Sequence, residues 1–296
     1  MERELWRVIA AAIKGLPRTS PRGGVYDNRE VLAVLFWAAL HNQSINWASK
    51  RRNWPMQAWR RRLPHQSTLS RRLRDPGLFA HLSLVLRVIH AGWSGGVGGY
   101  ALVDGKPLHV SEFSGDSDAK CGWGAGRYAK GYKLHALIDS LDHLLAWRVE
   151  PMNVAECTVA AELLHEARAS GVLTPGVTVI GDASYDSNPL HAAAELTGVR
   201  LIAPRRRPDR PPADNRKHHP GRMASIAVTE HDPALAAELE RRRKAVERYF
   251  GCMACFAPGL YFLPPWVRRP HRVRLWVAAK LAINAARISL LKRTAA

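Results

Sequence analysis

Two short apolar segments, each ending at an aspartate, constrain the fold of this chain more than any other feature. Residues 177–180 are all β-branched, and a glycine and Asp182 follow them. Residues 100–103 are also apolar, and Asp104 and a glycine follow them. Short apolar runs of this kind indicate buried strands, and open α/β sheets carry their chemistry where such strands end. The pattern therefore predicts an α/β sheet with two functional carboxylates.

The elements predicted between residues 100 and 250 describe a mixed sheet. Alternating apolar residues over 131–139 and 144–149, separated by a short turn, predict a β-hairpin. The full predicted order is strands 100–104, 131–139 and 144–149, helix 156–169, strand 177–181, a helix starting near Ser187, strand 199–203 and helix 233–250. A hairpin joined through a helix to a parallel strand is typical of a mixed α/β fold.

The first 91 residues predict a small all-helical domain that binds DNA. Longer helices are predicted over residues 2–13, 31–40 and 78–90. A shorter helix begins at Ser67 or Thr68, with Leu69 and Leu73 on one face. Its candidate DNA contacts are Ser67, Ser70, Arg71, Arg72 and Arg74. A short helix with apolar anchors behind and arginines in front is typical of a helix-turn-helix reader, and an ordinary solvated basic helix is the alternative.

Glycine and proline content predicts the domain boundaries. Residues 92–99 contain five glycines in eight positions, which predicts a linker between a domain of residues 1–91 and a domain of residues 100–296. Within the second domain, residues 204–222 are rich in prolines and charges and predict a mobile basic loop. An amphipathic C-terminal helix is predicted over residues 272–293.

The charge of the chain predicts a polyanionic partner. Lysines and arginines number 44 against 25 acidic residues, a formal net charge of +19, and nucleic acid is the commonest partner of so basic a protein. From Lys50 to Arg74 there are nine lysines and arginines and no acidic residue, and Trp47, Trp54 and Trp59 lie before or among them. This clustering favours DNA binding over a merely basic composition.

Other classes of protein fit the sequence poorly. No apolar run reaches the roughly 18 residues of a membrane helix, and the N-terminus lacks the apolar stretch of a secretory signal. We therefore expect a cytoplasmic protein, associated with the nucleoid when bound to DNA, that does not contact a membrane. Four cysteines in 296 residues do not make a disulfide framework. A zinc site at Cys252 and Cys255 would need a second ligand pair that the sequence does not offer.

Six short motifs resemble those of the DDE transposases of bacterial insertion sequences, of the IS4 and IS5 groups. They are residues 103–105, 131–135, 148–154, 181–187, 202–205 and 243–251. The resemblance covers most of residues 65–290. It implies a ribonuclease-H-like mixed sheet flanked by helices, behind a small helical domain that binds DNA ends. It also implies that Asp104, Asp182 and Glu247 are the catalytic and metal-binding triad.

The resemblance implies a reaction as well as a fold. Such enzymes hold divalent cations, here Mg²⁺ with Mn²⁺ as the alternative, because hard cations prefer carboxylate oxygens and stabilise charge on the attacking and leaving oxygens of a phosphodiester. Water attacks the transposon end, and the 3′ hydroxyl formed then attacks target DNA. The implied partners are terminal inverted repeats and target DNA, bound by a homodimer on paired ends. The alternatives are a domesticated or inactive relative that only binds DNA, and a nuclease of the same fold without strand transfer.

Further charged residues are weaker candidates for the site. The runner-up third carboxylate is Glu240, seven residues before Glu247 on the same helix face. A hairpin turn explains Asp139 and a helix cap explains Asp186, and Asp116 is expected to be solvated in a mobile stretch at residues 114–130. The candidate phosphate contacts are Lys106, Lys130, Lys133, Arg205, Arg206, Arg243 and Arg248. Surface salt bridges are an equal alternative for each.

Overall fold

The computed structural model describes residues 1–21, 24–55, 62–91, 98–124, 126–208 and 218–295. Contacts between residues divide the chain into two compact units. The helical unit comprises Met1–Gly95 and Met253–Ala296, and the sheet unit comprises Gly96–Cys252. None of the described helices is long and apolar enough to cross a membrane.

The described helices and strands follow the predicted order with three additions. The helices are α1 (Glu2–Gly15), α2 (Asn28–Leu40), α3 (Ile45–Ala48), α4 (Gln66–Arg72), α5 (Pro76–Ala91), α6 (Glu156–Ala169), α7 (Asn188–Leu196), α8 (Pro220–His231), α9 (Pro233–Ala254) and α10 (Pro270–Ala295). The strands are β1 (Tyr100–His109), β2 (Lys120–Gly124), β3 (Arg127–Asp139), β4 (Leu144–Pro151), β5 (Thr178–Ile180) and β6 (Arg200–Ile202). The sequence analysis did not predict α3, β2 and α8.

The helical unit is built around the apolar helix α2. Asp27 and Glu30 form a capping box at its start, in which each side chain accepts a hydrogen bond from the backbone N–H of the other at 2.9 Å. Eleven of its thirteen residues are buried, because α1, α3, α5 and α10 pack around it. A helix that is apolar on every side requires such a complete cover.

The C-terminal helix α10 belongs to the helical unit, whereas the sequence analysis assigned it to the second domain. It packs on α1, α2 and α5. Val273, Val277 and Leu281 are fully buried there. The sequence predicted the apolar face correctly but could not say which helices would cover it, because apolar burial is not directional. The predicted linker residues 92–97 lie outside the described residues.

One tryptophan of the basic segment, Trp54, is buried in the core of the helical unit. The rings of Trp37 and Trp54 stack with centroids 4.6 Å apart, and Trp6 meets both rings edge-on. The indole N–H of Trp54 donates to the carbonyl of Ala48 at 2.7 Å. Trp54 is therefore a packing residue with a satisfied polar group. Trp59, Arg60 and Arg61, on which the DNA-binding interpretation also drew, lie outside the described residues.

The sheet has the strand order β2-β3-β1-β5-β6, and β4 also pairs with β3. β1 and β3 are antiparallel over Ala101↔Asp139 to His109↔Gly131. β1 pairs with β5 in parallel, and β5 with β6 in parallel. The predicted β3–β4 hairpin is present, and the Asp139 carboxylate accepts the N–H groups of Leu141 and His143 in its turn.

The long strand β3 also orders segments that the sequence left irregular. β1 continues five residues past Asp104, because β3 supplies backbone partners as far as His109. Asp116, which was expected to be solvated, is buried and accepts a hydrogen bond from the Tyr132 hydroxyl at 2.9 Å. The glycine-rich composition of residues 114–130 gave no strand pattern for β2. This strand forms because it pairs with β3.

The two faces of the sheet have different neighbours. Val103 and Val179 lie in an apolar core with Leu163 of α6 and Leu190 of α7. Successive residues of a strand point to opposite faces, so Asp104 points away from this core. On that second face the guanidinium of Arg242, from α9, covers the ring of Tyr100 at 4.9 Å.

The predicted mobile loop at residues 204–222 is only partly a loop. Helix α8 begins at Pro220, and the His219 side chain accepts a hydrogen bond from the Gly221 N–H at 3.1 Å. Arg222 then forms two hydrogen bonds to Asp186, at 2.6 and 2.8 Å. Asp186 is thus an ion-pair partner, and the cap of α7 is Ser187. Residues 209–217 of the loop lie outside the described residues.

Candidate active site

Asp104 and Asp182 occupy equivalent positions on neighbouring strands. Leu102 and Ile180 form the last residue pair of the parallel β1–β5 ladder, and each aspartate follows its strand's member of that pair by two residues. Since side chains alternate along a strand, β1 directs Asp104 to the same face as Leu102. The two motifs that opened the sequence analysis therefore meet at one place in the sheet.

Asp104 is a carboxyl group with a strongly perturbed proton affinity. Burial, joined by the negative charges of Asp182 and Glu156, raises its pKa to about 7. The Gly105 N–H, which donates to Asp104 Oδ1 at 2.7 Å, and the positive charge of Arg243 act in the opposite direction. The raised pKa therefore reflects burial first and the neighbouring carboxylates second.

Asp182 begins a tight 3₁₀ turn at Ala183–Tyr185. Its Oδ1 accepts the Ser184 N–H at 2.8 Å and lies 2.5 Å from the Ser184 hydroxyl. The preceding glycine is required by close packing, because a Cβ at Gly181 would lie 2.8 Å from the ring of Tyr185. Tyr185 is fully buried. The turn therefore anchors its aromatic side chain in the core and leaves Asp182 at the end of the strand.

Glu156 is a third carboxylate at this site, and the sequence analysis missed it. It is the first residue of α6, and its carboxylate accepts hydrogen bonds from the Lys133 ammonium and, at 2.7 Å, from the Ser184 hydroxyl. Burial alone would raise the pKa of Glu156, but these hydrogen bonds lower it. An acid at a helix start is usually explained by the helix dipole, so the only sequence signal was its place two residues after the 148–154 motif.

Lys133 has a different role from the phosphate contact that was predicted. It is buried, with 7% of its side chain exposed, and its ammonium is paired with Glu156. A lysine held in this way cannot reach a DNA backbone. The sequence suggested the contact because the alternation along β3 does not reveal which residues α6 covers.

Glu247 lies on α9, as the family resemblance implies, and its carboxylate is bound by Arg243 at 2.9 Å. The same guanidinium also binds Glu240, at 2.8 and 3.0 Å. About half of the Glu247 side chain is exposed. The charge of Arg243 in turn reaches Asp104. Within the described part of the chain, no three acidic, histidine or cysteine side chains converge closely enough to hold a metal ion.

The remaining predicted DNA contacts divide into accessible and engaged residues. Those with exposed side chains are Ser67, Arg71, Arg74, Arg206 and Arg248. Ser70 and Lys106 are partly exposed. Lys130 donates to the carbonyl of Ser114 at 2.7 Å, and Arg205 is paired with Glu230.

Helix α4 departs from its predicted arrangement at two residues. Its N-cap is His65, whose ring accepts the Ser67 N–H, so the helix begins before Ser67. Arg72, which was placed on or beside the open face, is buried and donates to the carbonyl of Tyr26 at 2.6 Å. Arg72 therefore holds the buried side of α4 to the rest of the helical unit, beside the fully buried Leu69.

The sheet order, the helices on both sides and the paired aspartates define a ribonuclease-H-like fold. The family described as transposase DDE domain matches residues 99–255, more than half of the chain. The chain therefore belongs to the DDE transposase family, whose members cut and join DNA with divalent metal ions. The insertion-sequence subgroup remains a prediction.

A solved structure with a similar fold is also that of a transposase. The chain matches piggyBac transposase, from a synaptic complex with hairpin DNA, with a TM-score of 0.50 and 13% identity over 99% of this chain and 73% of that chain. It matches Mos1 transposase, from a paired-end complex with the left transposon end, with a TM-score of 0.26 and 12% identity over 93% and 80% of the two chains. No curated protein matches the sequence.

The residues at the site fit a divalent cation in chemical type. Carboxylate oxygens are the ligands that hard cations prefer. The raised pKa of Asp104 arises from burial and from the charges of Asp182 and Glu156, and a bound cation supplies the positive charge that such a group lacks. Asp104 and Asp182 are the side chains best placed to bind it.

Proposed function

We propose that this protein is the transposase of an insertion sequence, with Asp104, Asp182 and Glu247 as its catalytic and metal-binding carboxylates. One observation carries the proposal. The equivalent positions of Asp104 on β1 and Asp182 just after β5 lie inside the matched DDE domain, and the charge of Asp182 helps to raise the pKa of Asp104. The bound ion is proposed to be Mg²⁺, with Mn²⁺ as a substitute.

The chain's own residues would orient the DNA for the reaction. Bound divalent ions supply a polarised water and stabilise the charge of the leaving oxygen. The exposed Arg206 donates to the Ser184 carbonyl at 3.3 Å, beside the Asp182 turn, so its guanidinium is available at the edge of the site for a phosphate. Lys106 follows Asp104 by two residues on the same strand face. These two cations are proposed to hold the DNA strand across the aspartates.

The Arg243–Glu247 pair suggests how the third carboxylate would join the site. Partly exposed ion pairs contribute only about 0 to 1 kcal/mol, so little free energy is needed to separate Glu247 from Arg243. A DNA phosphate that binds Arg243 would release the Glu247 carboxylate toward the aspartates. Glu240 would then keep its hydrogen bonds to Arg243 and stay out of the reaction.

The helical unit is proposed to bind the terminal inverted repeats. Arg71 and Arg74 are exposed at the end of α4. Partial burial and the charges of Arg272, Arg74 and Arg269 lower the pKa of His271, at the start of α10. Positive charges from both ends of the chain are therefore crowded on one surface, and a DNA backbone is the partner that such a surface attracts.

The test uses a supercoiled plasmid that carries the inverted repeats flanking the gene. Wild-type protein with Mg²⁺ should nick the repeat ends, whereas Asp104→Ala and Asp182→Ala should bind the same DNA without cutting it. Equal nicking by these variants would refute the assignment. Protein that binds and never cuts in any of its forms would instead support the inactive DNA-binding relative.

Two further measurements separate the enzyme from a plain nuclease and test its assembly. A labelled, precut transposon end should become covalently joined to a target plasmid, and its free 3′ hydroxyl should be consumed. Release of cut ends without joining would support the nuclease. Light scattering on the protein with one or two repeat ends should report a dimer holding paired ends.

A further inference from the structure

A chain of hydrogen bonds joins three elements of the sheet unit behind the aspartates. It begins at Lys133 on β3, which donates to Glu156 at the start of α6. The Ser184 hydroxyl lies 2.7 Å from the other oxygen of Glu156. Ser184 then contacts Asp182 Oδ1 through both its hydroxyl and its backbone N–H. A strand, a helix and a turn are thus coupled to a single oxygen of Asp182.

The same chain runs close to the other aspartate. A Cβ at Gly105 would lie 2.9 Å from Lys133 Cδ and 3.5 Å from Glu156 Oε1. The lysine stem therefore crosses directly over the backbone that follows Asp104, and only glycine leaves room for it. The N–H of Gly105 is the group that donates to Asp104 Oδ1. The packing of Lys133 therefore explains Gly105, which the sequence analysis treated only as part of the motif at residues 103–105.

Stability alone gives a poor reason for these charges. The side chains of Lys133 and Glu156 are 7% and 19% exposed. The free energy of desolvating such a pair offsets most of its attraction, and apolar residues of similar volume are often as stabilising. The Ser184 hydroxyl has one hydrogen and can donate to one carboxylate at a time. Glu156 Oε2 and Asp182 Oδ1 both lie within hydrogen-bond distance of this hydroxyl, so the position of Glu156, which Lys133 holds, affects how Ser184 contacts Asp182.

We propose that Lys133, Glu156 and Ser184 are positioning residues that hold the Asp182 carboxylate in the orientation in which it binds a divalent cation. The inference rests on the proposed metal-binding role of Asp182. None of the three is assigned a contact with DNA or with reacting atoms. Partners of this kind commonly change metal affinity by about 10- to 100-fold when they are removed.

The test measures Mn²⁺ binding to the full-length protein without DNA, by calorimetry and by the loss of the free Mn²⁺ resonance signal. Glu156→Gln and Ser184→Ala should each weaken binding by about 10-fold or more, and Ser184→Thr should restore it. Glu162→Gln is the matched control, because Glu162 lies on the same helix, is paired with Arg148 and has 46% of its side chain exposed. That variant should bind Mn²⁺ as the wild type does.

A double variant separates positioning from structural support. Lys133→Met with Glu156→Leu replaces the ion pair by apolar side chains and should keep the thermal midpoint close to that of the wild type, while Mn²⁺ binding stays weak. If binding recovers together with the thermal midpoint, the pair is structural and the proposal is overturned. Wild-type affinity in both Glu156→Gln and Ser184→Ala would overturn it as well. If Asp182→Ala itself binds Mn²⁺ normally, the failure lies in the proposed metal site and not in these three residues.

Discussion

Arg243 Nη1 lies 2.9 Å from Glu247 Oε1, one helical turn away on α9. The same arginine acts electrostatically on Asp104. It therefore connects the proposed third carboxylate to the aspartates on the sheet, although Glu247 itself does not reach them. Glu247 would have to leave this ion pair to take part in the proposed triad.

The two glutamates bound to Arg243 should differ in their effect on DNA cleavage. Glu247→Gln should lower the rate of nicking at the transposon ends by at least about 100-fold, because a metal-binding carboxylate contributes several kcal/mol to stabilising the transition state. Glu240→Gln removes a carboxylate from the same guanidinium and should change the rate less than about 3-fold. The opposite order of effects would make Glu240 the third catalytic residue.

Neutralising Asp104 should stabilise the metal-free protein at high pH. The folded-state pKa of Asp104 is raised to about 7, well above the ordinary value of an aspartate. The folded state therefore binds the proton more tightly than the unfolded state, and this contribution to stability is present below about pH 4 and lost as the pH rises to 7. Asp104→Asn should raise the free energy of unfolding at pH 8 by up to about 4 kcal/mol.

Urea unfolding in the presence of a chelator measures this effect. The gain from Asp104→Asn should shrink steadily between pH 7 and pH 4, where the wild-type carboxyl becomes neutral as well. Asp118→Asn, on the same sheet unit and outside the site, is the control and should show no such gain at pH 8. A gain that is independent of pH would mean that the charge of Asp104 is not its cause.

Lys280 should be essential to the stability of the helical unit. Its buried ammonium donates to the carbonyl oxygens of Ala39 and Pro258, at 2.6 and 2.7 Å, and to the side chain of Asn42. Burial lowers the pKa of Lys280 to about 7, while the three oxygen acceptors favour the ammonium form. Lys280→Met removes the buried donor that these three acceptors share and should cost at least about 2 kcal/mol.

Thermal and urea unfolding would show this loss. Lys14→Met removes an exposed lysine from α1 in the same unit and should change stability by less than about 0.5 kcal/mol. If Lys280→Met is as stable as the wild type, the Lys280 ammonium is not needed as a hydrogen-bond donor at the end of α2.

Arg71 and Arg74 should contribute to DNA affinity through phosphate contacts. Replacing both with alanine should weaken binding of the inverted repeat and reduce the slope of log K against log salt concentration by about 2, since each lost phosphate contact reduces it by roughly 1. Arg7→Ala, whose exposed side chain is paired with Glu4 in the same unit, should leave the slope unchanged. A gel-shift titration at several salt concentrations measures both, and an unchanged slope for the double variant would place the repeat elsewhere.

Local sequence patterns were sufficient for most of the sheet unit. The bounds predicted for α6 are those observed, and the β3–β4 hairpin was confirmed. These elements have a clear apolar periodicity and pair or pack with near neighbours in the chain. The strand β2 and the helix α8 were missed because glycines and prolines masked their pattern, and because pairing with β3 and the Arg222–Asp186 contact order these segments.

The sequence by itself determined the two aspartate motifs, the family and the positive charge, because each depends on residue type and short spacing, although β1 continues past Asp104 instead of ending there. Only the tertiary structure decided which charged side chains stay exposed and able to contact DNA. It buried Lys133 against Glu156 and Arg72 against Tyr26, and it moved α10 into the helical unit. The reason is physical: a charged side chain changes its role with its partners and its exposure to water, and those are set by residues far away in the chain.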